Sequence, residues 1–251
     1  MELEDIREHI RHTGRCFDAE LHTKAYAELH ADATQLRRLI VPLAAPKKQV
    51  LLDLATGNGY VAFWLAKEYP TSSVIGLDIA ETAIKKDNEI AKRHGLTNVH
   101  FHVFDGVILP FAEDYFDGAV CRYALHHFPC CDTTLEEIAR TIRHKGTFVL
   151  ADAIRNEEDE IDFINQFQDL KGDGHVRMYR PKELIGLVSR HGFELIDSFE
   201  SCISFGRTRT NEINALLKCT PPHIQESYCI VHAENEIYLT FKILNAIFRI
   251  Q

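Results

Sequence analysis

The residues best placed to do chemistry in this sequence are two carboxylates that each end an apolar run, Asp53 and Asp78, and two glycines between them, Gly57 and Gly59. A glycine turn lets the backbone approach a ligand closely, and the start of a following helix offers unpaired N–H groups to a polar or anionic group. The Asp78 carboxylate can accept hydrogen bonds from the two hydroxyls of a ribose, or it can cap the next helix. This segment therefore predicts a binding site for a polar cofactor.

Histidines supply the candidate acid–base chemistry, because histidine can remove a proton near neutral pH. His126, His127 and His175 are the candidates, and His127 is the first choice for a general base. In an extended segment, His175, Arg177 and Tyr179 would point to one side, since side chains alternate along a strand. We expect these five residues to line a substrate pocket, and a solvated loop face is the alternative for the last three.

Alternating strands and helices must position these residues. Residues 50–54 predict a strand buried on both faces, and Val61, Trp64 and Leu65 recur at the spacing of an inner helical stripe. Further strands are expected at 74–78, 99–103, 115–121, 147–152, 193–199 and 237–247, with helices between most of them.

Two interpretations of the glycine turn compete. The pattern Gly57-x-Gly59-x-x-Ala62, with an acidic residue about 20 positions on, satisfies the loose dinucleotide-binding pattern. Asp53 separates the two, because a dinucleotide-binding strand normally continues with small apolar residues at that place. The order Asp53-x-Ala55-x-Gly57-x-Gly59 instead resembles motif I of class I S-adenosylmethionine-dependent methyltransferases. Ala55 stands for the usual first glycine, as it also does in the ubiquinone/menaquinone C-methyltransferase group.

Three further segments resemble the same family in the same order, and the resemblance as a whole spans roughly residues 36 to 200. Any one of them could arise by chance, whereas four in register rarely would. The chain is therefore similar to the small-molecule type of this family. The three segments are Val74-Ile75-Gly76-Leu77-Asp78, then Asp105-Gly106 with Leu109-Pro110-Phe111, and the strand 115–121 followed by Arg122-Tyr123-Ala124-Leu125-His126-His127-Phe128.

The resemblance implies that S-adenosyl-L-methionine is the cofactor and assigns roles around it. Asp53 would order the loop, Asp78 would hold the ribose hydroxyls, Ile79 would pack on the adenine ring, and Asp105 with the Gly106 N–H would bind the adenine edge. The implied cofactor-binding residues are Asp53, Ala55, Thr56, Gly57, Asn58, Gly59, Asp78, Ile79, Asp105, Gly106 and Arg122.

We expect an α/β fold with a Rossmann-like, seven-stranded, mostly parallel sheet, an antiparallel last strand and helices on both faces. Residues 1–251 are expected to form a single methyltransferase domain. Within it, residues 1–46 would form an N-terminal helical cap, and residues 153–182 a lid or substrate insertion.

Composition and charge narrow the function classes. A formal charge of −9, from 37 acidic and 28 basic residues, argues against a nucleic-acid partner. No apolar run approaches the ~18 residues of a membrane span, and the acidic start is unlike a signal peptide, so we expect no membrane insertion and a cytoplasmic location. Seven cysteines without a repeating spacing fit reduced thiols, and none of the histidine or cysteine spacings predicts a metal site.

The sequence therefore predicts an S-adenosylmethionine-dependent methyltransferase that acts on a small-molecule acceptor, with oxygen, nitrogen, sulfur and carbon acceptors all open. A non-catalytic S-adenosylmethionine-binding protein is one alternative. An NAD-dependent oxidoreductase is another, although Asp53 and Asp105 would then have no role.

Overall fold

The computed structural model describes residues 3–23, 26, 32–43 and 48–251, and it is organised around one sheet. The strand order is β3-β2-β1-β4-β5-β8-β6, and the short β7 pairs with β8. The strands are β1 Val50–Leu54, β2 Ser73–Asp78, β3 Val99–Val103, β4 Phe116–Arg122, β5 Ile142–Ala153, β6 Phe193–Thr208, β7 Val231–His232 and β8 Glu236–Ile250.

The pairing directions confirm the expected α/β class. Strands β1 to β5 pair in parallel, and β8 runs antiparallel to both β5 and β6. The last strand is therefore inserted in the reverse direction between two strands that share one direction. The two-residue β7 makes the sheet eight-stranded where seven strands were expected.

Helices cover both faces of the sheet and bury two separate apolar cores, as expected. Leu51 of β1 packs in the core that includes helices α2 and α3, whereas Leu52 and Leu54 pack in the core that includes α5 and α7. The helices that the structure describes are α1 Leu3–Glu20, α2 Ala33–Ile40, α3 Tyr60–Glu68, α4 Glu81–Arg93, α5 Cys131–Thr141, α6 Phe163–Asp169, α7 Pro181–Ser189, α8 Asn211–Cys219 and α9 Pro222–Ser227.

The strand order creates a crevice between β1 and β4. The chain passes from β1 outward to β2 and β3, and then returns to the other side of β1 as β4. In open α/β sheets, ligands bind beyond the carboxyl ends of the strands at such a reversal. The segments that follow Leu54 and Arg122 lie at this point.

Strand β6 extends well beyond the predicted end at Phe199. Its last residues pair with β8 as far as Thr208 with Glu236, so the two strands form a long antiparallel ribbon. Along β6 from Ser201 onward, partly buried residues alternate with exposed ones. Serine, glycine and arginine interrupt the apolar pattern there, which is why sequence alone ended the strand early.

The N-terminal helix α1 is hydrogen-bonded to the first turn of helix α4. The Asp18 carboxylate accepts hydrogen bonds from the N–H groups of Thr82 and Ala83 at 2.9 and 3.1 Å, in the first turn of α4. Parts of the predicted cap, residues 1–2, 24–25, 27–31 and 44–46, lie outside the described residues.

The segment between β5 and α7 is anchored by a buried carboxylate. Asp159 accepts hydrogen bonds from the N–H groups of Phe163 and Ile164, at 2.8 and 3.0 Å, and from the Tyr228 hydroxyl at 3.0 Å. Because unpaired buried carboxylates are costly, these bonds hold the start of α6 firmly on the core.

Candidate functional site

The loop after β1 has a backbone that suits a close-fitting ligand. Ala55, Gly57 and Gly59 all have left-handed φ angles, of 56°, 60° and 72°. Glycine adopts this region without steric cost, whereas alanine at position 55 adopts it against its Cβ. The turn is pinned to the neighbouring strand because the Thr56 N–H donates to the Leu77 carbonyl at 2.9 Å.

Asp53 organises this loop from below. Its carboxylate is 1% exposed and accepts hydrogen bonds from the Thr56 hydroxyl at 2.7 Å and the Ala62 N–H at 2.9 Å. It therefore joins the strand, the turn and the first turn of α3. Burial raises the pKa of Asp53 to about 7.

Asp78 binds the loop from the side. One carboxylate oxygen accepts the Gly57 N–H at 2.8 Å, and the other accepts the Ala80 N–H at 2.9 Å. Burial raises the pKa of this carboxyl group. Each carboxylate oxygen has a second lone pair, so Asp78 can also accept hydrogen bonds from a ligand. The N-cap of α4 is Ala80, so Asp78 is not itself the capping residue.

The predicted cofactor residues gather around two adjoining spaces. We call them the small cavity, of about 80 Å³, and the loop pocket, of about 40 Å³. Ala55, Gly57 and Arg122 line both. The small cavity is also lined by Asp78, Ile79 and Gly106, and the loop pocket by Asp53, Thr56 and Asn58.

Gly59 and Asp105 do not line either space. Gly59 is the N-cap of α3, and a side chain there would press on the ring of Phe63. Asp105 is exposed and its carboxylate accepts hydrogen bonds from Val107 and Ile108, at 2.9 and 2.8 Å, within its own turn. The structure thus places Asp105 outside the small cavity, while its neighbour Gly106 lies in the wall.

Helix α1 closes the small cavity. Ile10, Thr13, Phe17 and Leu21 line it from the helix or the turn that follows it. A Cβ at Gly57 would approach the Leu21 side chain to 3.2 Å, so glycine there leaves room for the close packing of the helix end.

Two tyrosines that sequence reasoning did not select lie at the centre of the site. Tyr26 and Tyr123 line the small cavity, the loop pocket and a third, larger space. Tyr123 has a φ of 59° and its ring lies 4.1 Å from the Arg122 guanidinium. The Arg122 guanidinium donates to the Gln35 side chain at 3.0 and 3.2 Å. Tyr123 belongs to the motif after β4, which was a signal for its position.

The larger space, which we call the large cavity, has a volume of about 350 Å³ and adjoins the small one. Phe17, Tyr26, Tyr123 and His127 line both cavities and form the boundary between them. The rest of the large cavity is lined by Glu20, Thr23, His126, Ala153, Gln168, Lys171, Asp173, His175, Met178, Ile203, Phe205, Gly206, Arg207, Phe241 and Ile243.

His126 is held by a buried carboxylate that sequence reasoning missed. Its Nδ1 lies 2.6 Å from Asp152 Oδ1, and its backbone N–H donates to Asp152 Oδ2 at 2.9 Å. Asp152 is 2% exposed and belongs to the end of β5. This contact assigns the ring proton to Nδ1 and leaves Nε2 without a hydrogen-bond partner among the described residues.

His127 and His175 complete a cluster with His126. Their ring centroids lie 4.3 and 5.8 Å from that of His126. Burial, together with the nearby His126, lowers the pKa of His127 well below its usual range. Burial likewise lowers the pKa of His175 to about 3, and its Nε2 lies 2.8 Å from the Asn165 side-chain oxygen. Both rings are therefore neutral at neutral pH.

Arg177 and Tyr179 do not join this cluster, which corrects the expectation that they would line the pocket with His175. The Arg177 side chain is half exposed and lies 3.9 Å from Glu183. Tyr179 packs in the core on the other face, where its hydroxyl interacts with Cys131. The segment does not run as a regular strand, because the N–H groups of Val176 and Arg177 both donate to the His126 carbonyl.

Comparison with known proteins decides the family. A model described as a methyltransferase domain matches residues 46–179. The chain belongs to this methyltransferase family. It is an S-adenosylmethionine-dependent methyltransferase, as the motifs implied.

Relatives agree in sequence and in fold. The methyltransferase YcgJ of Bacillus subtilis is 26% identical over 226 residues, which cover 85% of this chain and 88% of YcgJ. The demethylmenaquinone methyltransferase of Thermus thermophilus is 33% identical over 117 residues, covering 45% of this chain and 52% of that protein.

Two solved structures share the fold. The structure of YcgJ gives a TM-score of 0.74 at 22% identity and covers 88% of this chain and 99% of that one. The second structure is the 1,6-didemethyltoxoflavin-N1-methyltransferase of Burkholderia thailandensis, solved with 1,6-didemethyltoxoflavin and S-adenosylhomocysteine. Its TM-score is 0.66 at 17% identity, and the match covers 100% of this chain and 92% of that one.

Two features are absent from the described part of the chain. None of its helices has the length and apolar character needed to cross a membrane. The same residues include no group of three or more histidine, cysteine or acidic side chains placed to hold a metal ion.

Proposed function

We propose that the small cavity and the loop pocket hold the methyl donor, and that the large cavity holds the acceptor. The observation that carries this proposal is the shared boundary, because Phe17, Tyr26, Tyr123 and His127 line both cavities. A methyl group has only to cross this boundary. Holding two reactants at attack distance is the main contribution an enzyme makes to such a displacement.

The residues present fit S-adenosylmethionine. The buried Asp78 carboxylate has free lone pairs for hydroxyl groups, and Ile79 offers an apolar wall beside Gly106. Asp53 orders the loop through Thr56 and also lines the loop pocket. When bound, S-adenosylmethionine supplies a methyl group on a cationic sulfur, which becomes neutral as the methyl group leaves.

We propose that His126 is the general base, in place of the first sequence choice, His127. The Asp152 carboxylate holds the proton on Nδ1 of His126, so Nε2 of the same ring is free to accept one. Nε2 can take a proton from the acceptor while the acceptor's nucleophilic atom bonds to the methyl carbon. The same carboxylate then stabilises the imidazolium that forms. Such an acceptor carries a removable proton on oxygen or carbon, since amines and thiolates need no base.

His127 has a different part in this proposal. It lies at the boundary of the cavities, and its lowered pKa keeps it uncharged. A charged ring there would repel the cationic sulfur, whereas a neutral ring packs beside it. His127 thus shapes the place of transfer, and His175 supports it from the acceptor side.

We propose further that the acceptor is a free small molecule and not a nucleic acid, and that the protein works in the cytoplasm. The net charge of −9 supports the first point, because phosphate backbones bind basic surfaces. Two of the similar proteins are named for methyl transfer to demethylmenaquinone and to 1,6-didemethyltoxoflavin. All seven cysteines are free thiols, which supports a reducing compartment.

Calorimetry followed by a transfer assay tests the proposal. The purified protein is titrated with S-adenosylmethionine, S-adenosylhomocysteine and NAD, and then supplied with methyl-labelled donor and a panel of phenols, carboxylic acids, amines and thiols. We expect binding of the first two ligands, none of NAD, and labelled product from an oxygen or carbon acid. Binding of the donor without product from any class would favour a non-catalytic binding protein, and binding of NAD alone would overturn the proposal.

A further inference from the structure

We propose that the large cavity contains an anion subsite at Arg207, so that the methyl acceptor carries a carboxylate or a similar oxyanion. This inference rests on the proposed function, because it concerns the molecule that fills the acceptor side of the site. The acceptor is then a small apolar compound with one anionic group.

Arg207 breaks a row of apolar residues. In the β6–β8 ribbon, Ile203, Phe205 and Arg207 share the cavity-facing side of β6, because side chains alternate along a strand. Phe241 and Ile243 of β8 add to the same apolar wall. A cation in this position loses part of its hydration, and protein interiors rarely accept that without an anionic partner.

The contacts of Arg207 leave its charge unmatched. Among the described residues, its guanidinium donates one hydrogen bond, to the Gln168 side-chain oxygen at 3.2 Å, and it lies 4.8 Å above the Phe167 ring. No carboxylate of the described residues lies within 4.0 Å of it. A guanidinium has five N–H donors in a planar fork that matches an oxyanion, so several remain available to a ligand.

The other charges of the cavity are already engaged with one another. The Lys171 ammonium lies 2.7 Å from Asp173 and 3.4 Å from Glu20. These carboxylates favour the charged form of Arg207 from a distance, while burial lowers its pKa. An arginine remains protonated under both influences. Among the described cations that line this cavity, Arg207 is thus the one without a carboxylate partner within 4.0 Å.

The inference is tested with a matched pair of aromatic probes, 2-naphthoate and its neutral amide 2-naphthamide. Each is titrated by calorimetry into the protein with and without saturating S-adenosylhomocysteine. A charge-assisted hydrogen bond to a partly buried arginine corresponds to about a 10- to 100-fold preference for the acid. We expect that preference in the wild-type protein and its loss in Arg207→Gln, with part of it kept in Arg207→Lys.

Arg209→Gln is the control, because it removes the same kind of cation two residues along the chain. The Arg209 guanidinium donates to the Asn214 side chain at 2.9 and 3.2 Å and does not line the cavities described above. This variant is expected to keep the preference for the acid. The melting temperature and the affinity for S-adenosylhomocysteine, whose cavity Arg207 does not line, report whether each variant is folded.

Three outcomes would overturn the inference. These are equal binding of acid and amide by the wild-type protein, no detectable binding of the acid in the millimolar range, and a preference that survives Arg207→Gln. Failure of the proposed function is separately visible, since S-adenosylhomocysteine would then fail to bind whether or not the acid is preferred over the amide.

Discussion

Asp78 is the residue at which the loop and the second strand meet, since its two oxygens accept the N–H groups of Gly57 and Ala80. The same family resemblance predicted that Asp105 would bind the cofactor. In this structure its carboxylate accepts hydrogen bonds from Val107 and Ile108 in its own turn. Two carboxylates with equal support from sequence therefore differ in their surroundings, and that difference can be measured.

Replacement of Asp78 by alanine is expected to weaken S-adenosylmethionine binding by about 1 to 3 kcal/mol, the typical effect of leaving polar partners unsatisfied. Calorimetric titration measures the loss directly. Asp105→Ala is the comparison, and we expect its effect to be smaller because Asp105 lies outside the small cavity. Equal losses in the two variants would place the Asp105 carboxylate beside the cofactor when it binds.

The pair of His126 and Asp152 gives a second prediction at this scale. Asp152→Asn should lower kcat by roughly 10²- to 10⁴-fold, because the amide no longer stabilises the imidazolium or fixes the ring proton. S-adenosylmethionine affinity should stay unchanged, since neither residue lines the small cavity. His126→Gln should lower kcat similarly. An unaltered kcat in both variants would show that His126 is not the base.

Among the elements, α1 and the segment from Lys171 to His175 form the cover of the site. His12 lies 2.8 Å from the Gly172 carbonyl and Lys171 lies 3.4 Å from Glu20, so α1 is bound to this segment at two points. Between them, Gly174 packs directly on Thr13. The two glycines of the segment therefore differ in what surrounds them.

Gly174→Ala is expected to destabilise the protein by about 1 to 3 kcal/mol more than Gly172→Ala, the usual range for overpacking. Both glycines have left-handed φ angles, 85° for Gly174 and 68° for Gly172. An alanine therefore meets a similar backbone strain at either position. Only at position 174 would the added Cβ overlap the Thr13 side chain, whereas the space around position 172 is open. Urea unfolding measures stability, and calorimetry with S-adenosylhomocysteine reports the effect on the small cavity.

A second-site change separates this contact from a general backbone effect. Thr13→Ala removes the hydroxyl that the new Cβ would meet, so the double variant Thr13→Ala/Gly174→Ala should recover part of the lost stability. If Gly172→Ala and Gly174→Ala prove equally destabilising, α1 does not pack on the segment as described.

For the molecule as a whole, buried carboxylates make stability depend on pH. Asp87 of α4 is fully buried, and its pKa is raised to about 8 by burial and by the negative charges of Asp78 and Asp53. His22 lies 3.3 Å away, but burial lowers its pKa, so it stays neutral at pH 7 and does not balance the charge. Asp53 adds a second raised carboxyl pKa, of about 7.

Stability should therefore fall as pH rises. An unfolded aspartate has a pKa of about 3.9, so between about pH 4 and pH 8 the folded protein holds protons that the unfolded chain releases. The loss reaches at most ~1.4 kcal/mol per pH unit for each group. Urea unfolding across this range should show the fall, and Asp87→Asn, which cannot ionise, should reduce it. A free energy of unfolding that rises with pH in the wild-type protein would contradict the prediction.

Much of the fold and of the donor side of the site followed from sequence, because short contiguous patterns encode both. The apolar run 50–54, the left-handed turn at Gly57 and Gly59, and the acidic ends of the strands are local features. Parallel strands bring their carboxyl ends to one edge of the sheet, so residues selected separately along the chain converged on one cavity. The exceptions among the predicted site residues are Gly59, Asp105, Arg177 and Tyr179, which line none of the cavities described above.

Sequence predicted three histidines of the proposed acceptor side, His126, His127 and His175, and only the tertiary structure decided the rest of it. Asp152 and His126 are 26 positions apart, and Phe17 and Arg207 come from opposite ends of the chain, yet they line or support one cavity. No local period in the sequence encodes such meetings, because they depend on how α1 and the β6–β8 ribbon pack over the sheet. Sequence therefore determined which chemistry the protein performs, while packing determined what the acceptor would touch.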